Sequence, residues 1–281
     1  MGIVLALGAA VAYGLSDFIG GLASRRTTPW PVALLAGVGG LVGASALALA
    51  VPGDPTSADL LWGALSGLGS GAGSVFLYRG LATGRMGVVA PVSAVGAAVV
   101  PVVVGVATGE RPSLLVTIGI VVALPAIWLV ARSPDTPTDD GADSPVAAGL
   151  VDGLLAGVGF GLLFVALGQV PDGAGFWPLA TAQVVGLVTI TALATALRAP
   201  WLPTAVSELW GAVAGLVATT AVLMFLLATQ ADLLTVAAVL TSLYPAVTIL
   251  LAALVLREHI YRTQGAGLVL CGLAVAFVAA G

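Results

Sequence analysis

The chain has 281 residues, of which 59% are hydrophobic and only 8% charged, with nine basic and thirteen acidic side chains and a formal net charge of −4. A soluble domain carries about 25% charged residues, so this composition excludes a soluble globular protein and indicates a surface that mostly faces lipid. An apolar, mildly acidic chain with a single cysteine is also neither disordered, nor a nucleic-acid-binding protein, nor a disulfide scaffold.

Apolar stretches long enough to cross a bilayer follow one another along almost the whole chain. A membrane helix needs about 20 mostly apolar residues with few charges. The sequence therefore predicts an all-α polytopic membrane protein with ten transmembrane helices. The predicted spans are residues 3–21, 31–50, 60–81, 87–107, 113–131, 147–168, 176–196, 207–228, 233–255 and 264–280.

One long connection, residues 132–146, divides five spans from five. It carries four aspartates and three prolines and cannot bury enough apolar surface to fold. We therefore predict a flexible acidic linker between a first five-helix unit, residues 1–131, and a second one, residues 147–281, within one integral membrane domain.

The two halves repeat each other when the chain is shifted by 147 or 148 residues. Trp30-Pro31 then falls on Trp177-Pro178, Trp62-Gly63 on Trp210-Gly211, and Glu110 on Glu258. Tryptophan and glutamate are scarce here, so these matches indicate an internal duplication. Because each half has an odd number of spans, the second half must enter the membrane from the opposite side, which predicts two inverted repeats.

The arginines give the orientation, because cytoplasmic loops collect basic residues. Eight of the nine lie in or next to odd-numbered loops, and Arg111 is the exception. This bias predicts that the odd-numbered loops are cytoplasmic and that both termini are outside. The eight are Arg25, Arg26, Arg79, Arg85, Arg132, Arg198, Arg257 and Arg262.

Inverted repeats can rock against each other around a site at the membrane midplane, so that the site opens to one face and then to the other. This property predicts a transporter. A duplicated structural scaffold without transport is the alternative.

Three stretches give the chain its resemblance to a known family: residues 9–21 (AAVAYGLSDFIGG), 88–112 (VVAPVSAVGAAVVPVVVGVATGERP) and 234–267 (LTVAAVLTSLYPAVTILLAALVLREHIYRTQGAG). With a glutamate ending the fourth span of each half, the chain resembles the EamA-type members of the drug/metabolite transporter (DMT) superfamily. The resemblance implies a secondary carrier of the cytoplasmic membrane, typically an exporter of amino acids, other small metabolites or drugs. It also implies a central cavity formed chiefly by spans 3, 4, 8 and 9.

The prolines of the fourth and ninth spans are candidate hinges. Pro245 lies 13 residues before Glu258, whereas the equivalent position in the first half is Ala97, and Pro91 and Pro101 occur instead. A proline inside a helix removes one backbone hydrogen bond and bends the helix.

Asp17 in span 1 is the main ionisable candidate within the spans, because a charged side chain at the bilayer centre costs ~2.5–3.5 kcal/mol on insertion scales. Tyr13 lies one turn earlier on the same face, with Ser16 beside the carboxyl group. Asp17 could bind a substrate ammonium group or carry a proton. The alternative is a structural ion pair, with Arg79 as the partner.

Rows of hydroxyl groups could form polar walls of a cavity, but serine and threonine also help membrane helices to pack closely. The predicted substrate contacts on span 9 lie around Pro245, and the amide of Gln183 in span 7 is a further candidate contact or an interhelical hydrogen bond. The hydroxyl candidates are Ser66, Ser70, Ser74 and Tyr78 in span 3, and Thr241, Ser242, Tyr244 and Thr248 in span 9.

Glu110 and Glu258 each stand between the end of one span and the start of the next, where a carboxylate can accept hydrogen bonds from free backbone amides. We predict that both are structural caps. Gating ion pairs with Arg111, Arg257 or Arg262 are the alternative.

The leading hypothesis is a secondary exporter of a small metabolite such as an amino acid, working by alternating access and coupled to protons. Efflux of hydrophobic cations is a second hypothesis, and a non-transporting membrane subunit a third. An enzyme is not expected, because the chain has one histidine and no clustered acids at one membrane face. We expect no metal, because one histidine cannot build a metal site, and no use of ATP by this chain, because no phosphate-binding loop is present. We also expect no cofactor, and a monomer or homodimer.

Overall fold

The computed structural model describes residues 1–24, 27–82, 86–131 and 144–281, with the side chains of Tyr78, 81–82, 86–88 and 144–148 left out. The predicted linker therefore lies almost wholly outside the described residues. The same holds for Arg25, Arg26, Arg85 and Arg132, and for the predicted contact of the Tyr78 hydroxyl.

Across the described residues the secondary structure is helical, and the ten predicted spans are confirmed. Two short 3₁₀ turns, Asp172–Ala174 and Val206–Leu209, precede α7 and α8. The helices are α1 (Gly2–Ser24), α2 (Pro29–Ala50), α3 (Ser57–Ala82), α4 (Met86–Ala107), α5 (Leu114–Ala131), α6 (Ser144–Leu167), α7 (Trp177–Ala196), α8 (Trp210–Ala231), α9 (Leu234–Thr241), α10 (Tyr244–Val255) and α11 (Arg262–Ala280).

Local capping explains where the third span begins. The Asp59 carboxylate accepts hydrogen bonds from the backbone N–H of Thr56 and from its hydroxyl group, both at 2.8 Å. These bonds satisfy a free amide at the helix start, so α3 begins at Ser57, three residues before the predicted start at residue 60.

The ninth span is a broken helix. It ends as α9 at Thr241 and resumes as α10 at Tyr244, with Pro245 in the first turn of the second segment. Proline has no N–H to donate to the Thr241 carbonyl, and Leu243 donates instead to Leu240 in a tighter turn. The fourth span contains Pro91 and Pro101 and is nevertheless one continuous helix.

The helices of the two halves are interleaved, and a helix of one half makes contacts equivalent to those of its counterpart in the other half. Helix α3 packs on α6 and α7, as its counterpart α8 packs on α1 and α2, and α5 packs on its counterpart α11. Helix α4 packs on α6 and α9, while α9 and α10 pack on α1. The chain thus has a two-repeat architecture in which neither half forms a separate bundle.

Glycines allow the interleaved helices to touch backbone to backbone. A methyl group added at Gly63 or Gly67 of α3 would strike the Pro178 or Ala182 carbonyl oxygen of α7. The same contacts occur in the other half, where Gly211 and Gly215 of α8 face the Val32 and Ala36 carbonyl oxygens of α2. Small residues of this kind hold membrane helices together through close packing.

The Gly215→Ala variant should lose thermal stability, because its methyl group meets a backbone carbonyl that cannot move independently of α2. Overpacking of this kind costs about 1–3 kcal/mol. The Gly272→Ala variant is the matched control, because no atom lies within 4 Å of the added methyl group. Melting in detergent, followed by size-exclusion chromatography, compares the two, and equal melting temperatures would contradict the packing account.

Candidate functional site

Asp17 faces the interior of the protein and not the lipid. The exposed apolar residues of α1 form one stripe, and at 100° per residue Asp17 projects about 140° away from it. Asp17 is exposed although it lies on the face turned away from this stripe. An exposed carboxylate on the protein-facing side of a helix indicates an opening between helices, which we call the Asp17 cleft. The stripe consists of Val4, Val11, Leu15 and Leu22.

Aromatic rings cluster around Tyr13, one turn before Asp17 on α1. The Tyr13 ring centroid lies 6.1 Å from that of Tyr244 and 6.3 Å from that of Phe164. Asp17 is close enough to act electrostatically on both tyrosine hydroxyl groups. Behind these rings Phe164 packs on Phe225 at 4.6 Å, and both are buried. The site therefore combines one carboxylate with three aromatic side chains.

The break in the ninth span lies against α1 beside these residues. Thr241 Oγ1 donates a hydrogen bond to the Ala6 carbonyl at 3.4 Å, and Thr248 Oγ1 donates one to the Gly14 carbonyl at 3.2 Å. The buried hydroxyl groups of Tyr13 and Ser242 have no hydrogen-bond partner among the described residues. Discontinuous helices of this kind form the midplane binding sites of many transporters.

Exposure changes within one turn of α1 around Asp17. Solvent reaches Asp17 but not the Tyr13 hydroxyl group, which lies one turn nearer to Gly2. Phe164, the repeat counterpart of Asp17, is buried against Phe225. The Asp17 carboxyl group is therefore exposed, whereas the rings of Phe164 and Phe225 are buried.

Arg79 does not pair with Asp17, so the structural ion pair that was the alternative to a functional Asp17 does not form. Its guanidinium group binds the Asp152 carboxylate of α6, with Nε donating at 2.9 Å, and it also lies 4.9 Å from the centroid of the Phe76 ring. Asp152 is a second carboxylate within a span that was not predicted as a site residue, because it lies near the start of the sixth span. No described side chain forms an ion pair with Asp17.

Several other predicted site residues lie at helix contacts. Ser16 Oγ donates to the Ala214 carbonyl of α8 at 2.9 Å. Ser66 is buried, and Ser70 donates to the Gly67 carbonyl beside Gly186 of α7. Ser74 is half-buried on α3.

Gln183 lies against Gly40 of α2, away from the break in the ninth span. The contacts of Ser70 and Gln183 are those of helix packing. The structure brings them together with neither Asp17 nor the aromatic rings.

Glu110 caps a helix, but the helix belongs to the other half of the chain. Its Oε1 accepts a hydrogen bond from the backbone N–H of Leu234 at 2.7 Å, and its Oε2 accepts one from Thr235 at 3.0 Å. These two bonds, which we call the Glu110 clasp, replace the side-chain cap that α9 lacks. Arg111 donates to the main-chain carbonyls of Val106 and Glu110.

No group of three or more histidine, cysteine, aspartate or glutamate side chains within the described ranges could hold a metal ion. The described groups near Asp17 are aromatic rings and the hydroxyl and carbonyl groups at the helix break.

Comparisons with known proteins agree with this architecture. The sequence profile of the EamA-like transporter family matches the chain twice, over residues 1–132 and 147–280. No curated protein is significantly similar in sequence. One crystal structure of a protein aligns over 99% of this chain and 95% of its own, with a TM-score of 0.75 and 16% identity. At this identity the likeness concerns the fold alone.

Replacing Arg79 and replacing Asp152 should lower the stability of the protein by different amounts. Removing Arg79 leaves a carboxylate that is 8% exposed without its partner, whereas removing Asp152 leaves a guanidinium group that is 38% exposed and that water can reach. Stranding a buried charge costs about 3 kcal/mol. Thermal melting should therefore show Arg79→Met to be less stable than Asp152→Asn, with partial recovery in the double variant. A more stable Arg79→Met single variant would contradict this.

Proposed function

We propose that this chain, which belongs to the EamA-like transporter family, is a secondary transporter that exports a small metabolite carrying an ammonium group, such as an amino acid. Its two halves expose the Asp17 cleft alternately to the two faces of the membrane. The observation that carries the proposal is a solvent-accessible carboxylate at membrane depth with no basic partner among the described residues.

The negative charge of a lone carboxylate at this depth is costly unless a positive charge or a proton neutralises it. The described basic side chain nearest in predicted depth, Arg79, is committed to Asp152. A substrate ammonium group or a proton can therefore neutralise Asp17, but a single carboxylate cannot hold both. This competition couples the two, because proton binding displaces the substrate and substrate binding displaces the proton.

Asp17 occurs once in the duplicated architecture, because its repeat counterpart is Phe164. A purely structural carboxylate would serve both halves equally well. One carboxylate at the centre of two rocking halves is instead the arrangement needed for a single shared binding site.

Efflux of organic cations is the second candidate function, and the aromatic rings favour it. Tyr13 and Tyr244 lie close enough to Asp17 to interact with it electrostatically, and Phe164 packs on the Tyr13 ring. A cation placed over an aromatic face gains about 0.5–2 kcal/mol, depending on its desolvation. Such a site accepts a bulky apolar ammonium compound as well as a compact amino acid.

The Asp17→Asn variant should abolish efflux while leaving the protein folded, because asparagine keeps the shape of the side chain but carries no charge. Cells expressing the protein are assayed for efflux of a panel of amino acids, primary amines and cationic dyes at several pH values. Asp172→Asn, at an exposed position in a loop, is the matched control and should transport normally. Full efflux by Asp17→Asn at every pH would overturn the role of this carboxylate.

Substitutions of Tyr244 separate the two candidate functions. If the ring face binds a cation, Tyr244→Phe keeps the efflux of cationic dyes, whereas Tyr244→Ala lowers it about tenfold or more. If the hydroxyl group binds an amino-acid substrate, both variants lose amino-acid efflux equally. Transport rates of the two variants, normalised to the amount of protein in the membrane, provide the comparison.

A further inference from the structure

We propose that a cavity at the end of the helix bundle where α1, α5 and α9 begin and α11 ends is a second binding site, for a small aliphatic amine in its ammonium form. The cavity has a volume of about 270 Å³ and lies between helices of both halves. We call it the Asp232 cavity, because Asp232 is the only charged side chain that lines it. The proposal goes beyond the export function proposed above and does not depend on it.

The Asp232 cavity is separate from the Asp17 cleft. Ile3, which lines the cavity, and Asp17 lie on the same continuous helix, α1. At a rise of 1.5 Å per residue, the levels of residues 3 and 17 along the helix axis differ by about 21 Å. A small amine bound in the cavity therefore cannot touch Asp17.

Most of the cavity wall is aliphatic, which favours a ligand with a short apolar chain. Five of the eight lining residues have aliphatic side chains. Pockets for drug-sized molecules occupy about 300–1,000 Å³, whereas an apolar cavity of about 150 Å³ is enough to bind benzene. The Asp232 cavity therefore has room for a chain of a few carbon atoms and little more. The five aliphatic residues are Ile3, Val116, Leu233, Val236 and Val278.

Asp232 supplies the charge that selects an ammonium group. Its side chain is half-buried, and Oδ1 accepts a hydrogen bond from the backbone N–H of Leu233 at 2.8 Å. No described basic side chain pairs with this carboxylate, and no second described donor bonds to it. An ammonium group has three N–H donors and no acceptor, so it can both neutralise the charge and bond to the remaining oxygen.

The groups nearby that could attract an anion are already hydrogen-bonded within the protein. The Glu110 clasp takes the first two amides of α9. The Val116 amide at the start of α5 donates to Ser113 Oγ at 3.3 Å. Arg111, two residues before Ser113, donates to two main-chain carbonyls. The cavity therefore favours a cation over an anion.

The test measures whether an amine protects a cysteine placed in the cavity wall. Ser113 is exposed and lines the cavity, so Ser113→Cys places a reactive thiol there. The substitution is made in a Cys271→Ser chain, which has no other cysteine. The full chain, purified in detergent at pH 7, is labelled by N-ethylmaleimide with and without n-hexylamine. Ser57→Cys is the matched control, because Ser57 is an exposed serine at the start of α3 that does not line the cavity.

Hexylamine, which is protonated at pH 7, should slow the labelling of Ser113→Cys. Hexanol has the same chain but no charge, and it should need about a tenfold higher concentration for equal protection, because it forms no ion pair with Asp232. Asp232→Asn should remove this advantage, since asparagine keeps an oxygen for the Leu233 amide but carries no charge. Asp17→Asn should leave the protection by hexylamine unchanged.

Equal protection by hexylamine and hexanol, or full protection by hexylamine in Asp232→Asn, would overturn the ammonium site. Absence of protection by hexylamine would overturn the cavity as a binding site. Loss of protection in Asp17→Asn, or equal protection of Ser57→Cys, would also contradict the proposal, because the amine would then act from the Asp17 cleft or on the whole protein. The proposed export function is tested by efflux through Asp17, so its failure and the failure of the Asp232 cavity are distinguishable.

Discussion

The need to satisfy every backbone polar group without water governs this structure. A helix achieves this along its length, but its first amides and last carbonyls remain free. Here the free amides of α9 inside the protein are satisfied by Glu110, a residue from the other half of the chain. The same constraint confines the break between α9 and α10 to the interior, where it faces α1 and the cleft and not the lipid. The hydrogen bonds that satisfy the free amides of α9 therefore also connect the two halves of the chain.

Contacts shared by the two repeats form the scaffold, and the residues that differ between the repeats form the candidate site. Glycine contacts between α3 and α7 have direct equivalents between α8 and α2. Asp17, by contrast, is matched by Phe164, and the continuous α4 is matched by the broken pair of α9 and α10. Two equal halves would form two equal clefts. These differences place one carboxylate, Asp17, and one buried aromatic ring, Phe164, which packs on Phe225, at equivalent positions and near the helix break.

The sequence predicts the spans well because an apolar stretch of membrane length is a local property. Capping by Glu110 is also predictable, since a carboxylate beside a helix terminus has few other uses. The identity of the capped helix is not predictable, because it depends on how α4 and α9 meet, 124 residues apart in sequence. The pairing of Arg79 with Asp152 is not predictable from the sequence for the same reason. The depth of a residue along the membrane normal can be predicted from the sequence. The direction in which the residue faces within the helix bundle is set by tertiary packing and cannot.

The central claim is that the position of Asp17 is exposed alternately to the two sides of the membrane. The most direct measurement is labelling of Asp17→Cys, in a chain without Cys271, by a small membrane-impermeant thiol reagent. Right-side-out and inside-out vesicles are labelled in parallel. Alternating access predicts that the same cysteine is labelled from either side. Labelling from one side only, under all conditions that keep the protein folded, would contradict the account.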